Sequence, residues 1–310
     1  METRRIGSLQ VSIVGLGCNN FGRRLDLEGT RRVVDAALGA GIDFFDTADM
    51  YGDTRSEELL GQALGGRRDA AVVATKFGWR LDDQRPGGAS PAYVRRAVED
   101  SLRRLGTDRI DLYQLHRPDP RTPIGETLAV LDELVRAGKV REIGCSNFSV
   151  EQMRQASAAV HEGAARFVSV QNEYSLLHRD PERAVLQECE RQGLAFLPFF
   201  PLASGLLSGK YRRGEPDPGK TRLTETANMG GRFFTARNRV VADALADFAA
   251  ARGQTLLELA FSWLASHRVV ASVIAGAMSP EQVRANAAAA GWRLTPDELA
   301  QVDALAPLDP

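Results

Sequence analysis

Eight short apolar runs recur along nearly the whole chain, and helical patterns fill most of the gaps between them. The runs are Val11–Leu16, Asp43–Asp46, Ala71–Thr75, Asp111–Leu115, Glu142–Cys145, Val168–Gln171, Ala195–Phe199 and Val273–Ala275. Runs this short fit strands, whereas the gaps carry apolar residues at helical spacing. Ser90-Pro91 opens one helix, with Val94, Ala97, Val98, Leu102 and Leu105 on its apolar face. Thr122-Pro123 opens another, with Leu128, Leu131 and Leu134 inside and Gly138 just past its end. Ser149–Gln152 and Ser279–Gln282 both have the spacing of a capping box. Strands separated by helices imply a parallel sheet, and eight such units imply a closed (β/α)8 TIM barrel of the α/β class.

The opening and one later stretch depart from this rhythm. Arg4–Ile6 and Gln10–Ile13 flank Gly7-Ser8, which predicts a small hairpin capping the barrel bottom. Lys210–Arg239 is rich in glycine and proline (Gly214, Pro216, Pro218, Gly219, Gly230, Gly231) and too long for an ordinary connection. Long loops of this kind are usually functional or disordered. With no repeat or linker, residues 1–310 read as one barrel domain. A formal charge of −1 gives no general attraction to nucleic acid or to anionic lipid. Only four of the 39 basic residues are lysines, which a GC-rich coding bias explains more simply than RNA binding. Cys18, Cys145 and Cys189 lack metal-ligand spacing and are odd in number, so neither a metal site nor a disulfide framework is expected. The opening METRRIGSLQVSIVGLG has no signal-like apolar stretch, and no run approaches a membrane span, so a cytoplasmic protein is expected. Oligomeric state has no signature in the sequence.

Nearly every expected strand ends in an unusual polar or aromatic residue. Asp46 follows IDFF, Lys76 follows VVAT and His116 follows DLYQL. Ser146-Asn147 follow IGC, Gln171 follows FVSV, and Phe199-Phe200 follow AFLP. In a (β/α)8 barrel these ends converge on one face, where active sites sit. Tyr51, five residues past Asp46, would join them. Singly, each has a bland explanation: Asp46–Lys76 as a buried ion pair, His116 as a core histidine, Tyr51 as packing. Agreement across many strand ends favours a shared pocket.

The segments Asp46-Thr47-Ala48-Asp49-Met50-Tyr51-Gly52, Thr75-Lys76-Phe77, Leu115-His116-Arg117, Gly144-Cys145-Ser146-Asn147-Phe148 and Gln171-Asn172-Glu173-Tyr174 closely resemble the aldo-keto reductases. So does the run from Phe199 to Tyr211, FFPLASGLLSGKY. The resemblance extends from the first hairpin to the last helix. It implies a soluble oxidoreductase that moves a hydride between NADPH and the carbonyl of an aldehyde or ketone, reversibly. It also implies Tyr51 as general acid beside Asp46, Lys76 and His116. An ammonium about 4 Å from a phenol is worth roughly 4 kcal/mol at an effective dielectric near 20, enough to pull a phenol pKa of about 10 toward neutrality. No metal is needed, since Tyr51 and His116 supply the electrophilic help.

By the same resemblance, Ser146, Asn147 and Gln171 hydrogen-bond the nicotinamide carboxamide, and Phe199 stacks on its ring. Phe200, Pro201, Leu202, Gly205 and Lys210 carry the pyrophosphate, with the long loop folding over it. Gln282 and Asn286 contact the adenosine. The 2′-phosphate is expected on Gly276-Ala277-Met278 and the following helix start, where free N–H groups and the helix dipole favour an anion. Met278 stands where NADPH-preferring relatives often carry a cation, which leaves NADH as an alternative. Pocket walls are expected from Phe21, Trp79, Phe233 and Phe234. Gly15-Leu16-Gly17 with Gly22 mimics a dinucleotide fingerprint, but its third glycine is misplaced. Cys18 and Cys145 are read as small packing residues near the cofactor. The rival readings are a Schiff-base aldolase using Lys76 and a cofactor-binding regulatory subunit resembling potassium-channel β subunits, which share this fold and these four residues.

Overall fold

The computed structural model describes every residue except 81, 83–86, 212, 215–218, 220, 222, 224–230 and 309–310. Strands β1 (Thr3–Ile6) and β2 (Leu9–Ser12) form an antiparallel hairpin around Gly7, whose φ of +57° suits the tight turn. The barrel follows as β3 (Val14–Gly17), α1 (Leu27–Gly39), β4 (Phe44–Asp46), α2 (Arg55–Leu64), β5 (Val72–Phe77), α3 (Pro91–Leu105), β6 (Ile110–Leu115), α4 (Ile124–Arg136), β7 (Val140–Ser146) and α5 (Val150–Ala158). It continues as β8 (Phe167–Glu173), α6 (Val185–Gln192), β9 (Ala195–Phe199), α7 (Ala236–Ala250), α8 (Leu256–Ser266), β10 (Val273–Gly276), α9 (Pro280–Ala288) and α10 (Pro296–Leu305).

Eight strands form one parallel sheet in the order β10-β3-β4-β5-β6-β7-β8-β9. The remaining gap is bridged when the Phe196 N–H donates to the Val269 carbonyl (2.7 Å) and the Ala271 N–H to the Phe196 carbonyl (3.0 Å). The run expected as a single strand, Val11–Leu16, is divided at Ile13. Its first part serves the hairpin and its second the barrel. Ser12 makes the corner: its N–H donates to Asp43 Oδ1 (2.7 Å) and its hydroxyl to the Val14 carbonyl (2.7 Å).

The expected helix signals act with two departures. Ser90 caps α3, Gly106 ends it at φ +62°, and its buried face contains the five apolar residues expected. Both halves of the capping box form at Ser149 and Gln152. At α4, however, Thr122 Oγ1 donates to Asp119 Oδ2 (3.1 Å) rather than capping, and the helix begins after Pro123. At α9, Ser279 accepts from the Gln282 N–H, but Gln282 Oε1 takes the Met278 N–H (2.8 Å), so only half a box forms. Pro216, Pro218 and Gly230 of the long loop lie outside the described residues; the loop ends where Thr235 caps α7.

Two apolar regions fix the working face. One lies between strands and helices around the barrel. The other fills its interior, where Ile6, Leu9 and Val11 of the hairpin pack with Phe44, Leu112, Leu197 and Ile274. The hairpin therefore plugs one mouth of the barrel. Burying each of its three aliphatic side chains is worth roughly 1.5–3 kcal/mol. The opposite mouth, where the strands end, is left for polar residues.

Candidate active site

Strand ends deliver the polar set. Asp46 ends β4, Lys76 is the penultimate residue of β5, and His116 follows β6. Lys76 Nζ donates to Asp46 Oδ2 (2.6 Å) and to the Thr47 carbonyl (2.9 Å), with both charged side chains buried. Asp46 Oδ1 accepts from Gln171 Nε2 (2.9 Å) and Gln114 Nε2 (3.3 Å). A carboxylate so supplied keeps its ammonium partner tolerable in a dry site, where an unpaired charge would cost several kcal/mol. Tyr51 comes from the turn between β4 and α2, and the Lys76 ammonium lies 5.1 Å from its ring centroid. His116 meets the same ring edge-on at 5.9 Å and faces Trp79 at 5.3 Å.

Burial pushes the Tyr51 phenol above its ordinary value; Lys76 pulls it back, but not far enough to reverse the shift. The expectation of a phenol near neutrality is thus corrected. Lys76 is pulled down by burial and more than restored by Asp46 and Tyr51, so it stays charged. His116 is held well below its usual range by burial, then by the cations of Lys76 and Arg117, and is neutral at physiological pH. Its Nδ1 is buried without a partner.

From these residues a cleft of about 1360 Å³ runs across the barrel mouth to β10 and α9. Ser146 Oγ donates to the Gln171 carbonyl (2.7 Å) and accepts from Asn147 Nδ2 (3.1 Å), which also donates to the His116 carbonyl (2.9 Å). Phe199, Phe200, Pro201, Leu202, Gly205 and Lys210 line the middle of the cleft. Phe200, Ala203, Ser204 and Gly205 all have positive φ, a tight turn uncommon for non-glycine residues. A Cβ on Gly205 would stand 3.1 Å from Lys210 Nζ, so glycine leaves room for the ammonium. Gly276, Met278, Gln282 and Asn286 line the far end.

The sequence model of the aldo/keto reductase family matches residues 13–307. The chain belongs to that family. It is 32% identical to a probable voltage-gated potassium channel subunit beta from Oryza sativa subsp. japonica, over 98% of this chain and 96% of that one. It is also 32% identical to the L-glyceraldehyde 3-phosphate reductase of Escherichia coli O157:H7, over 98% of this chain and 92% of that protein. An aldo-keto reductase from Klebsiella pneumoniae, solved in complex with NADPH, superposes with a TM-score of 0.77 at 32% identity, covering 99% of this chain and 95% of that one.

In this aldo-keto reductase the expected residues meet in one cleft, with exceptions; Lys76 is fully buried and reaches the site through Asp46 and the Tyr51 ring instead of lining the cleft. Phe21 is fully buried and does not line it, because Gly22 (φ +75°) turns the chain so that the ring enters the core. Phe233 is buried against Phe200, and Phe234 packs on Tyr211 and Arg239; neither lines the cleft. Of the expected walls, Trp79 alone does so. Gly15 is a packing glycine: a Cβ there would stand 2.8 Å from Phe44 Cδ1 and from Ser272 Oγ. Cys18 and Cys145 are buried with thiols pushed up by burial, which makes them inert.

Sequence reasoning missed Arg24, Asn19, Asn20 and Gln114. Arg24 lines the cleft, places Nη1 3.9 Å from the Met278 sulfur, and adds to burial in lowering the Lys210 pKa. Asn19 lines the cleft with Oδ1 buried and unpartnered. Both residues follow the Gly15–Gly17 run, which marked the spot without naming the side chains. A dinucleotide fits this cleft: Lys210 and Arg24 offer charge to phosphates, the unpartnered Asn19 Oδ1 offers an acceptor, and Phe199 offers a face.

Proposed function

We propose that this chain is an NADPH-dependent carbonyl reductase, cytoplasmic and working as one domain, that converts aldehydes or ketones to alcohols reversibly. The observation that carries this reading is the buried Asp46–Lys76 pair (2.6 Å) with its ammonium beside the Tyr51 ring. Bound in the cleft, the reduced nicotinamide would supply the hydride. Ser146, Asn147 and Gln171 would hold its carboxamide, Gln282 and Asn286 its adenosine, and Lys210 its pyrophosphate. Tyr51 keeps its proton while the carbonyl is uncharged, because burial disfavours the phenolate. As charge gathers on the carbonyl oxygen, the Tyr51 O–H passes its proton there and the new phenolate rests beside Lys76. Neutral His116 orients the same oxygen without adding a competing positive charge. Arg24 supplies beside Met278 the positive charge that a 2′-phosphate requires, which favours NADPH over NADH.

The aldolase reading fits less well. Lys76 is fully buried, paired with Asp46 and shifted toward the charged form, whereas Schiff-base chemistry needs an accessible neutral amine. The regulatory reading is kept by the rice relative. A screen of aldehydes, ketones, sugars and pyridoxal for NADPH consumption decides between the two. Turnover with at least one class is expected. Tight NADPH binding with no turnover across the panel would favour the regulatory subunit.

A further inference from the structure

Beside His116 the cleft is lined by Arg117, an exposed cation that meets no anion among the described residues. The Arg117 guanidinium lies 5.0 Å from the Trp79 ring centroid. Among the described residues that ring is its one side-chain partner; Arg117 makes neither ion pair nor hydrogen bond there. Asp119, the acid nearest in sequence, is taken up by Arg121, Thr122 and the Ala89 N–H. Trp79 in turn packs on His116 at 5.3 Å, so the guanidinium and the imidazole meet the same ring. An arginine stacked on an aromatic face has little freedom to lose when it binds a planar acid, and it offers a two-pronged fork.

We propose that Arg117, held on Trp79, selects carbonyl substrates that carry an acid group, a carboxylate or phosphate, near the carbonyl. The proposal rests on the reductase reading, because it takes the carbonyl to sit at Tyr51 and His116. With the carbonyl there, an acid group on a short chain reaches the guanidinium beside the Trp79 ring. Arg117 is thus a specificity residue, and the proton transfer itself does not require it.

The test compares kcat/KM within matched pairs: succinic semialdehyde against its methyl ester, and glyceraldehyde phosphate against glyceraldehyde. The wild type is expected to favour the acid member of at least one pair by ~10-fold or more, the scale of one charge-assisted hydrogen bond. The pair that responds says whether carboxylate or phosphate is read. In Arg117→Gln that ratio should fall to near one, and Arg117→Lys should restore part of it. A merely structural role would lower both members together and leave the ratio standing. A wild-type ratio near one in both pairs, or a ratio that survives in Arg117→Gln, overturns the proposal. Calorimetric binding of the semialdehyde and its ester to wild type and Arg117→Gln, without cofactor, gives a readout independent of turnover. Absence of any turnover would then count against the reductase reading, while the binding difference would still decide the role of Arg117.

Discussion

In the proposed reaction Tyr51 is the proton donor, with neutral His116 orienting the carbonyl and Lys76 committed to Asp46. Tyr51→Phe is expected to fold and to bind cofactor, but to lose roughly 10²–10⁴-fold in carbonyl reduction. Single-turnover rates beside a cofactor titration check this; retention of half the wild-type rate would remove Tyr51 from the mechanism. Lys76 lowers a phenol that burial has raised, so deleting the cation leaves the phenol higher still. The protonated, donating form then persists to higher pH, and the alkaline limb of reduction should move upward. Because Lys76→Met alone strands a buried carboxylate, it is compared with Asp46→Asn/Lys76→Met, where no charge is left unpaired and where the loss of Asp46, which raises the phenol, makes the upward move smaller than the loss of Lys76 alone would. An unmoved limb in an active double variant would separate Lys76 from the donor. Asp49 gives a stability prediction. Burial first, then the charge of Glu57, pushes its carboxyl from 3.8 up to about 8. The folded state therefore holds a proton that the unfolded chain releases, and stability falls as pH rises from about 4 to about 8. Asp49→Asn should remove that slope, gaining on the wild type steadily through this window. Parallel denaturation curves for the two proteins at pH values across it would refute the assignment.

At the level of elements, the cofactor end is assembled from pieces far apart in the chain. The turn after β3 brings Arg24, the turn after β9 brings Lys210, and the loop into α9 brings Met278. The half-formed box at α9 ties Gln282 to the Met278 N–H, so one of the free N–H groups expected to receive an anion is already occupied. That shifts weight from the helix start onto Arg24. Calorimetry with NADPH and NADH at equal ionic strength should show a wild-type preference for NADPH. Arg24→Gln should reduce it by about tenfold or more, the scale of a lost charged contact, and Met278→Arg should strengthen it. A wild-type preference for NADH would mean that Arg24 does not read the 2′-phosphate.

For the whole molecule, the barrel is plugged at one mouth by the hairpin and chemically equipped at the other. Leu9, 1% exposed in the interior cluster, belongs to the plug. Leu9→Ala should cost roughly 2–5 kcal/mol in denaturant unfolding, since the closed barrel has little room to collapse around the void. A cost under about 1 kcal/mol would show the hairpin to be a loosely seated cover. The sequence alone determined the architecture, because strand and helix periodicity, caps and glycine stops are local signals that the barrel merely combines. It also determined Asp46, Lys76, His116 and Gln171, because the end of each strand points to a single face in this fold. What lies in turns was decided by tertiary structure. Phe21 and Phe233 are aromatics that local pattern allows in a pocket wall, and only the path of the chain sends them into the core. Arg24 joins Met278 across more than two hundred residues, a contact that no local signal encodes. The state of Tyr51 was likewise beyond the sequence: the ammonium beside it was legible, but the burial that outweighs it is a property of the packed molecule.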